Sequence, residues 1–184
     1  MHNLNDLKKE ALSGDGLSAY LLGRCFYSQE NGAKLNYTKA FEWYKYGFEK
    51  LNDPRSQYGY AMFFFDDGES ESEGIVEKDN DFANKLFATA YPKLIELAKT
   101  DMYANFILGA YHNYGLGGIK KDFSKAIQFI EKSAELGHSG ACYDMGKFYL
   151  EGRGVKKDIS LAKKYLSKAS EMNNKRAQQT LKDL

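Results

Sequence analysis

The chain repeats itself, and that repetition constrains its fold more than any other feature of the sequence. The stretch Ala104-Asn-Phe-Ile-Leu-Gly-Ala-Tyr leads on to Gly115-Leu-Gly-Gly-Ile, Lys121-Asp122 and Lys125-Ala126. It returns as Ala141-Cys-Tyr-Asp-Met-Gly-Lys-Phe-Tyr with Gly152-Arg-Gly-Val, Lys157-Asp158 and Leu161-Ala162. A period in the thirties describes stacked helical hairpins, each of which buries its apolar face only against its neighbours. Each unit predicts a helix, a Gly-rich turn and a second helix. A glycine inside a helix costs about 1 kcal/mol relative to alanine. Its return at Gly23, Gly109 and Gly146 therefore predicts a close approach of the paired second helix at that point. The second unit carries Ala61 there, which predicts a slightly wider spacing.

The second helices are expected to start at Asn36, between Asp79 and Asp81, at Asp122 and at Asp158, whose side chains can accept from the open amides of a first turn. Ala126, Phe129, Ile130, Ser133 and Ala134 then share one face, as do Ala162, Tyr165, Leu166, Ala169 and Ser170, with Trp43 at the corresponding place in the first unit. That spacing is the stripe of a packed amphipathic helix. At the start, Leu7, Ala11 and Gly14 match Ile130, Ala134 and Gly137, so residues 4–17 predict an orphan second helix that caps the first unit. At the end, Ala177 and Leu181 match Ala141 and Met145, but Lys182 stands where Gly146 would be. This marks 174–184 as a cap with a polar outer face. Between the caps the repeats are read as 18–53, a divergent 54–101 with an acidic insertion, 102–140 and 141–173, all within one domain.

This order of residues resembles the Sel1-like repeat, a relative of the tetratricopeptide repeat, over nearly the whole chain. The fourth unit matches from Ala141 through Gly146, Tyr149, Gly152, Gly154, Val155, Asp158 and Ala162 to Lys168 and Ala169. The third has one extra glycine in its turn and His112 in place of the tyrosine. The first keeps Leu22-Gly23, Lys39-Ala40 and Trp43 but replaces its Gly-rich turn by residues 29–36. The resemblance implies an all-α, right-handed superhelical solenoid of antiparallel helix pairs. It also implies a protein or peptide held on the concave face, with no catalytic residues and no cofactor. Under the family's assignment of faces, the binding candidates are Arg24, Met62, Asp66, Asn113, Tyr114 and Lys147. Two readings from other classes stand beside the scaffold. One is a stoichiometric inhibitor of the immunity-protein kind; the other is a hydrolase with a site in a crease near Pro92.

Composition narrows the partners. A formal net charge of +1 argues against a general nucleic-acid binder, and no apolar run approaches the roughly 20 residues that span a bilayer. The first ten residues lack an apolar core with a cleavage site, which points to a cytoplasmic protein, or to an exported one if a leader has been removed. Cys25 and Cys142 are too few for a disulfide framework and are expected as buried thiols.

The remaining motifs resolve into structure. Residues 66–74 alternate acids in a way that suggests a calcium loop, but the EF-hand order fails because Ser72 follows Glu71. A solvated insertion, or an acidic lip for a basic partner, is expected instead. The turns at Gly115 and Gly152 follow no strand and lack a Walker ending. Ser160-Leu-Ala-Lys163 lacks the companion motifs of a penicillin-recognising site. His112 is expected to serve as a structural ring and His138 as a helix-end residue. No local spacing of His, Cys and acids suits a metal. The lysine-rich stretch after Gly118 and the acidic 66–81 read first as solvated faces, and second as a dipole that orients a charged partner. Pro92 predicts either a sharp kink or two short helices split near Tyr91.

Overall fold

The computed structural model describes residues 3–28, 31–66 and 74–184, and within them the regular structure is helical throughout. The elements are α1 (Leu4–Leu12), α2 (Gly16–Ser28), α3 (Tyr37–Leu51), α4 (Pro54–Phe64), α5 (Asn80–Leu97), α6 (Met102–Tyr114), a 3-10 turn (Leu116–Gly118), α7 (Phe123–Glu135), α8 (Ser139–Glu151), α9 (Ile159–Glu171) and α10 (Lys175–Lys182). The chain is all-α, built of helical hairpins. Residues 67–73, on which most of the expected acidic loop falls, lie outside the described residues, as do His2, Gln29 and Glu30.

Two compact units divide the chain, Met1–Lys93 and Leu94–Leu184. In the first, α1 packs on α2, α2 on α3 and α3 on α4, around a core that includes Leu7, Ala11, Ala19, Leu22 and Cys25. Its aromatic side is dense. The Phe41 ring stands 5.1 Å from Tyr60 and 5.3 Å from Phe63, in the tilted and edge geometries that ring quadrupoles favour. In the second unit α6 packs on α7, α7 on α8, α8 on α9 and α9 on α10. Its core holds Ile127, Ile130, Ala134, Ala141, Cys142, Met145, Leu166 and Ala177. Both cysteines are buried, and neither is in a disulfide.

The helix starts follow the side chains read as caps. Asn36, Asp122 and Asp158 each accept from the backbone amide three residues on, at 2.8, 3.0 and 2.9 Å. Asp79 does the same for Phe82 at 2.8 Å. The first helix of the fourth repeat begins at Ser139, two residues before the motif's Ala141, because His138 supplies its cap. The repeated helix glycine is a contact requirement. A Cβ at Gly109 would lie 2.6 Å from Ile130, one at Gly146 would lie 2.7 Å from Leu166, and one at Gly23 would run into the Tyr44 ring. Tyr44, Ile130 and Leu166 hold the same place on their second helices, so one packing rule recurs with three different side chains.

Of the two alternatives at Pro92, the split into two short helices is excluded, because α5 runs through it as a single helix. Proline removes the amide that would pair with the carbonyl of Ala88. Ala88 and Pro92 both lie on the exposed side, where water can take that pairing. The boundary between the two units falls one residue after Pro92, inside this helix. Its first half is tied to α4 by Gln57, whose side-chain amide donates to the Leu86 carbonyl at 2.9 Å and to the Thr89 hydroxyl at 2.6 Å.

Candidate functional site

The six sequence-derived candidates fall three to each unit. Arg24 on α2 and Met62 on α4 are half-buried, on two helices that pack against each other, and Asp66 is exposed just beyond α4. The Asp66 amide donates to Asn80 Oδ1 at 2.8 Å, which pins the end of α4 to the start of α5. In the second unit Asn113 is half-buried. Tyr114 beside it is 52% exposed, the largest exposure of any aromatic side chain among the described residues. Lys147 on α8 is exposed and pairs with Glu151 at 3.1 Å.

Next to Lys147 stands a residue that sequence reasoning passed over. Asp144, one turn back on α8, is half-buried. Burial pushes its carboxyl up to about 6, while the charges of Arg176, Lys147 and Arg153 hold it down from going further. Three cations from α8, its turn and α10 thus surround one poorly solvated acid. The sign of the linkage is fixed by that upward shift. The folded chain keeps a proton that the unfolded chain, titrating near 3.8, has released. Stability is therefore lost as pH rises from about 4 towards 6, and stays lost above. Asp144→Asn should accordingly stabilise the protein by about 1–2 kcal/mol at pH 7, allowing for solvent at the exposed edge, and by almost nothing at pH 3.5. Chemical denaturation of both proteins at the two pH values measures it.

The two described histidines, His112 and His138, are buried and packed against aromatic rings. His112 is buried and stacks on Phe129 with centroids 5.5 Å apart and planes within 9°. Burial lowers its pKa, assisted by Lys125 and opposed by Asp122. The corresponding pair in the fourth repeat is Tyr149 on Tyr165, 5.7 Å apart and 13° inclined. His138 Nδ1 accepts from the Ala141 amide at 3.1 Å, and its ring lies against Phe106 at 4.5 Å. The Gly-rich turns are helix ends: Gly115 and Gly152 take left-handed conformations with φ of 76° and 68°, and their amides return to Tyr111 and Phe148. Among the described residues no group of three or more His, Cys, Asp or Glu is placed to hold a metal ion.

The first unit also contains a cleft of about 630 Å³ between α1 and α3, over one end of α2. Leu4, Leu22, Phe26 and Trp43 form much of its apolar lining, with Lys8 on the α1 bank and Lys39 and Glu42 on the α3 bank. The Lys39 ammonium lies 5.3 Å from the centre of the Phe26 ring. A trace of this cleft is present in the sequence. Leu12, which also lines it, is apolar at a helix position where the matching second helix carries Glu135, and it is 58% exposed.

The Sel1 repeat model matches residues 16–49, 54–91, 103–138 and 139–174. Among solved structures, the chain is similar to a protective antigen of uropathogenic Escherichia coli that displays an SLR fold. The identity is 26% and the TM-score 0.52, over 98% of this chain and 36% of that one. It is also similar to a Sel1 repeat protein from Oxalobacter formigenes, with 28% identity and a TM-score of 0.55, over 92% of this chain and 63% of that one. A putative Sel1 repeat protein from Klebsiella pneumoniae shares the fold at 17% identity and a TM-score of 0.51, over 98% of this chain and 82% of that one. The chain spans about a third of the first of these structures and less than two thirds of the second. No helix among the described residues is long and apolar enough to cross a membrane.

Proposed function

Because this chain belongs to the Sel1 repeat family, whose members are in general protein-interaction scaffolds, we propose that it is a non-catalytic scaffold holding a protein or peptide partner on its first helices. The observation that carries this reading is Tyr114. Nearly all of the chain's large rings are buried or half-buried, yet this one stands half out of the end of α6 beside Asn113. An exposed tyrosine offers a rigid apolar body and a hydroxyl at low entropic cost, which is why such side chains anchor interfaces. Lys147, with Asp144 and its surrounding cations, supplies a charged neighbourhood on another first helix, and Arg24 and Met62 supply a mixed polar and apolar pair in the first unit.

The reading is tested by affinity capture from the native cell with the wild type and with an Arg24→Ala, Met62→Ala, Lys147→Glu triple variant. These positions are exposed or half-buried, so the variant should keep its helical circular dichroism. It should lose the captured partner, and Tyr114→Ala alone should weaken it. A folded triple variant that retains the partner at full yield contradicts the proposal.

A further inference from the structure

The cleft between α1 and α3 contains none of the six candidates above, and it gains meaning from comparison with the matching place in the fourth repeat. There the helix that corresponds to α1 is α7, and the pair corresponding to α2 and α3 is α8 and α9. The Tyr149–Tyr165 stack covers the floor. Lys168 crosses from α9 to α7 and donates to the Ala134 carbonyl at 2.7 Å, closing the gap between the banks. Glu131 and Glu135 on α7 act on the Tyr165 hydroxyl, which burial first and these carboxylates second push up. The fourth repeat thus supplies its own crossing side chain and its own acids.

Among the described residues of the first repeat, neither provision recurs at its matching position. Tyr46 stands where Lys168 would be, and its ring turns edge-on against Trp43 at 5.7 Å. The acids are replaced by Lys8 and Leu12. What results is an open apolar cleft with a lysine on each bank. Glu42 lies one turn along α3 from Lys39, so the anionic preference is strongest at the end nearer the start of that helix.

We propose that this cleft is a docking site for an acidic peptide segment, which seats one apolar or aromatic side chain between Leu22, Phe26 and Trp43 and sets its carboxylates against Lys8 and Lys39. The partner then provides the acids and the filling side chain that the fourth repeat takes from its own chain. A volume of about 630 Å³ accommodates a large side chain and its neighbours, within the range of side-chain and small-ligand sites.

Trp43 is the only tryptophan of the chain, so its fluorescence reports the cleft directly. The probes are the tryptophan-free peptide acetyl-Glu-Phe-Glu-Asp-Leu-Glu-amide and its counterpart with lysine at every acidic position, titrated into the full chain. The acidic peptide should shift the emission saturably, and more weakly as salt is added, while the lysine peptide should not. The Lys8→Glu, Lys39→Glu double variant should bind the acidic peptide about tenfold more weakly, two attractions having become repulsions. Both lysines are exposed, so unchanged circular dichroism confirms that the variant is folded. Equal responses to the two peptides, no response to either, or an unaltered affinity in the double variant would each overturn the proposal. So would an emission that shifts with protein concentration alone, which would assign the cleft to a second copy of the chain.

Discussion

Arg55→Ala should remove about 3–5 kcal/mol from the stability of the fold, the cost of leaving one member of a buried ion pair without the other. The Arg55 guanidinium donates to Asp53 Oδ2 from Nε at 3.1 Å and from Nη2 at 2.6 Å, and both side chains are buried. The other carboxylate oxygen, Oδ1, accepts from the Ser56 amide at 2.8 Å and so caps α4. Arg55 also acts on Asp15. Burial raises that carboxyl, but hydrogen bonds from Ser18 and Leu17 together with the Arg55 charge hold it below its ordinary value. One guanidinium therefore serves two acids near the starts of α2 and α4. Removing it strands Asp53 in a place where a Cβ on Gly16 would already crowd it at 2.9 Å. Truncating both partners, as Asp53→Asn with Arg55→Met, should cost less than Arg55→Ala alone, because no buried charge remains. Urea denaturation followed by circular dichroism measures all three proteins. A cost for Arg55→Ala below about 0.5 kcal/mol, the range of ordinary surface changes, would contradict the assignment.

The second large effect falls on Tyr44. Two glycines approach its ring closely: a Cβ at Gly23 would strike it, and one at Gly59 would lie 2.6 Å away. Gly23→Ala gains about 1 kcal/mol of helix propensity but presses on a rigid ring that Gly59 also approaches closely. Overpacking of this kind costs about 1–3 kcal/mol, so a net loss of up to about 2 kcal/mol is expected. The fourth repeat provides the internal control. Gly146→Ala meets Leu166, an aliphatic chain with more rotamers than a ring, and should be milder by about 1 kcal/mol. Introducing Tyr44→Leu, the repeat's own solution at Leu166, should make Gly23→Ala less costly. Denaturation midpoints of the single and double variants test this through their coupling. Equal costs at Gly23 and Gly146 would show that ring rigidity is not what the glycine accommodates.

These two predictions differ in how far the sequence foretells them. The helix glycines were legible because they recur in register, and a recurring residue that is costly in a helix demands a contact. The caps at Asn36, Asp122 and Asp158 were legible for a similar local reason. The Asp53–Arg55 pair was not, since Asp-Pro-Arg reads as an ordinary helix start until tertiary packing encloses it. Asp144 escaped notice because its raised pKa depends on burial among side chains from α8 and α10. Pro92 left one helix or two open in the sequence: proline disfavours a continuous helix, but its missing hydrogen bond falls on an exposed side where the cost is small. The cleft was hidden because it arises from what the first repeat lacks relative to the fourth. Matched positions show likeness more readily than omission.

The repeat thus accounts for the way the helices pack, and its departures account for the surfaces the chain offers. The proposed partner engages exposed and half-buried side chains of the first helices. Hydrogen–deuterium exchange of the captured complex against the chain alone tests this most directly. Added protection is expected at the ends of α2, α4, α6 and α8, centred on Arg24, Met62, Tyr114 and Lys147. Protection confined to the second helices α3, α5, α7 and α9, with those four positions unchanged, would contradict it.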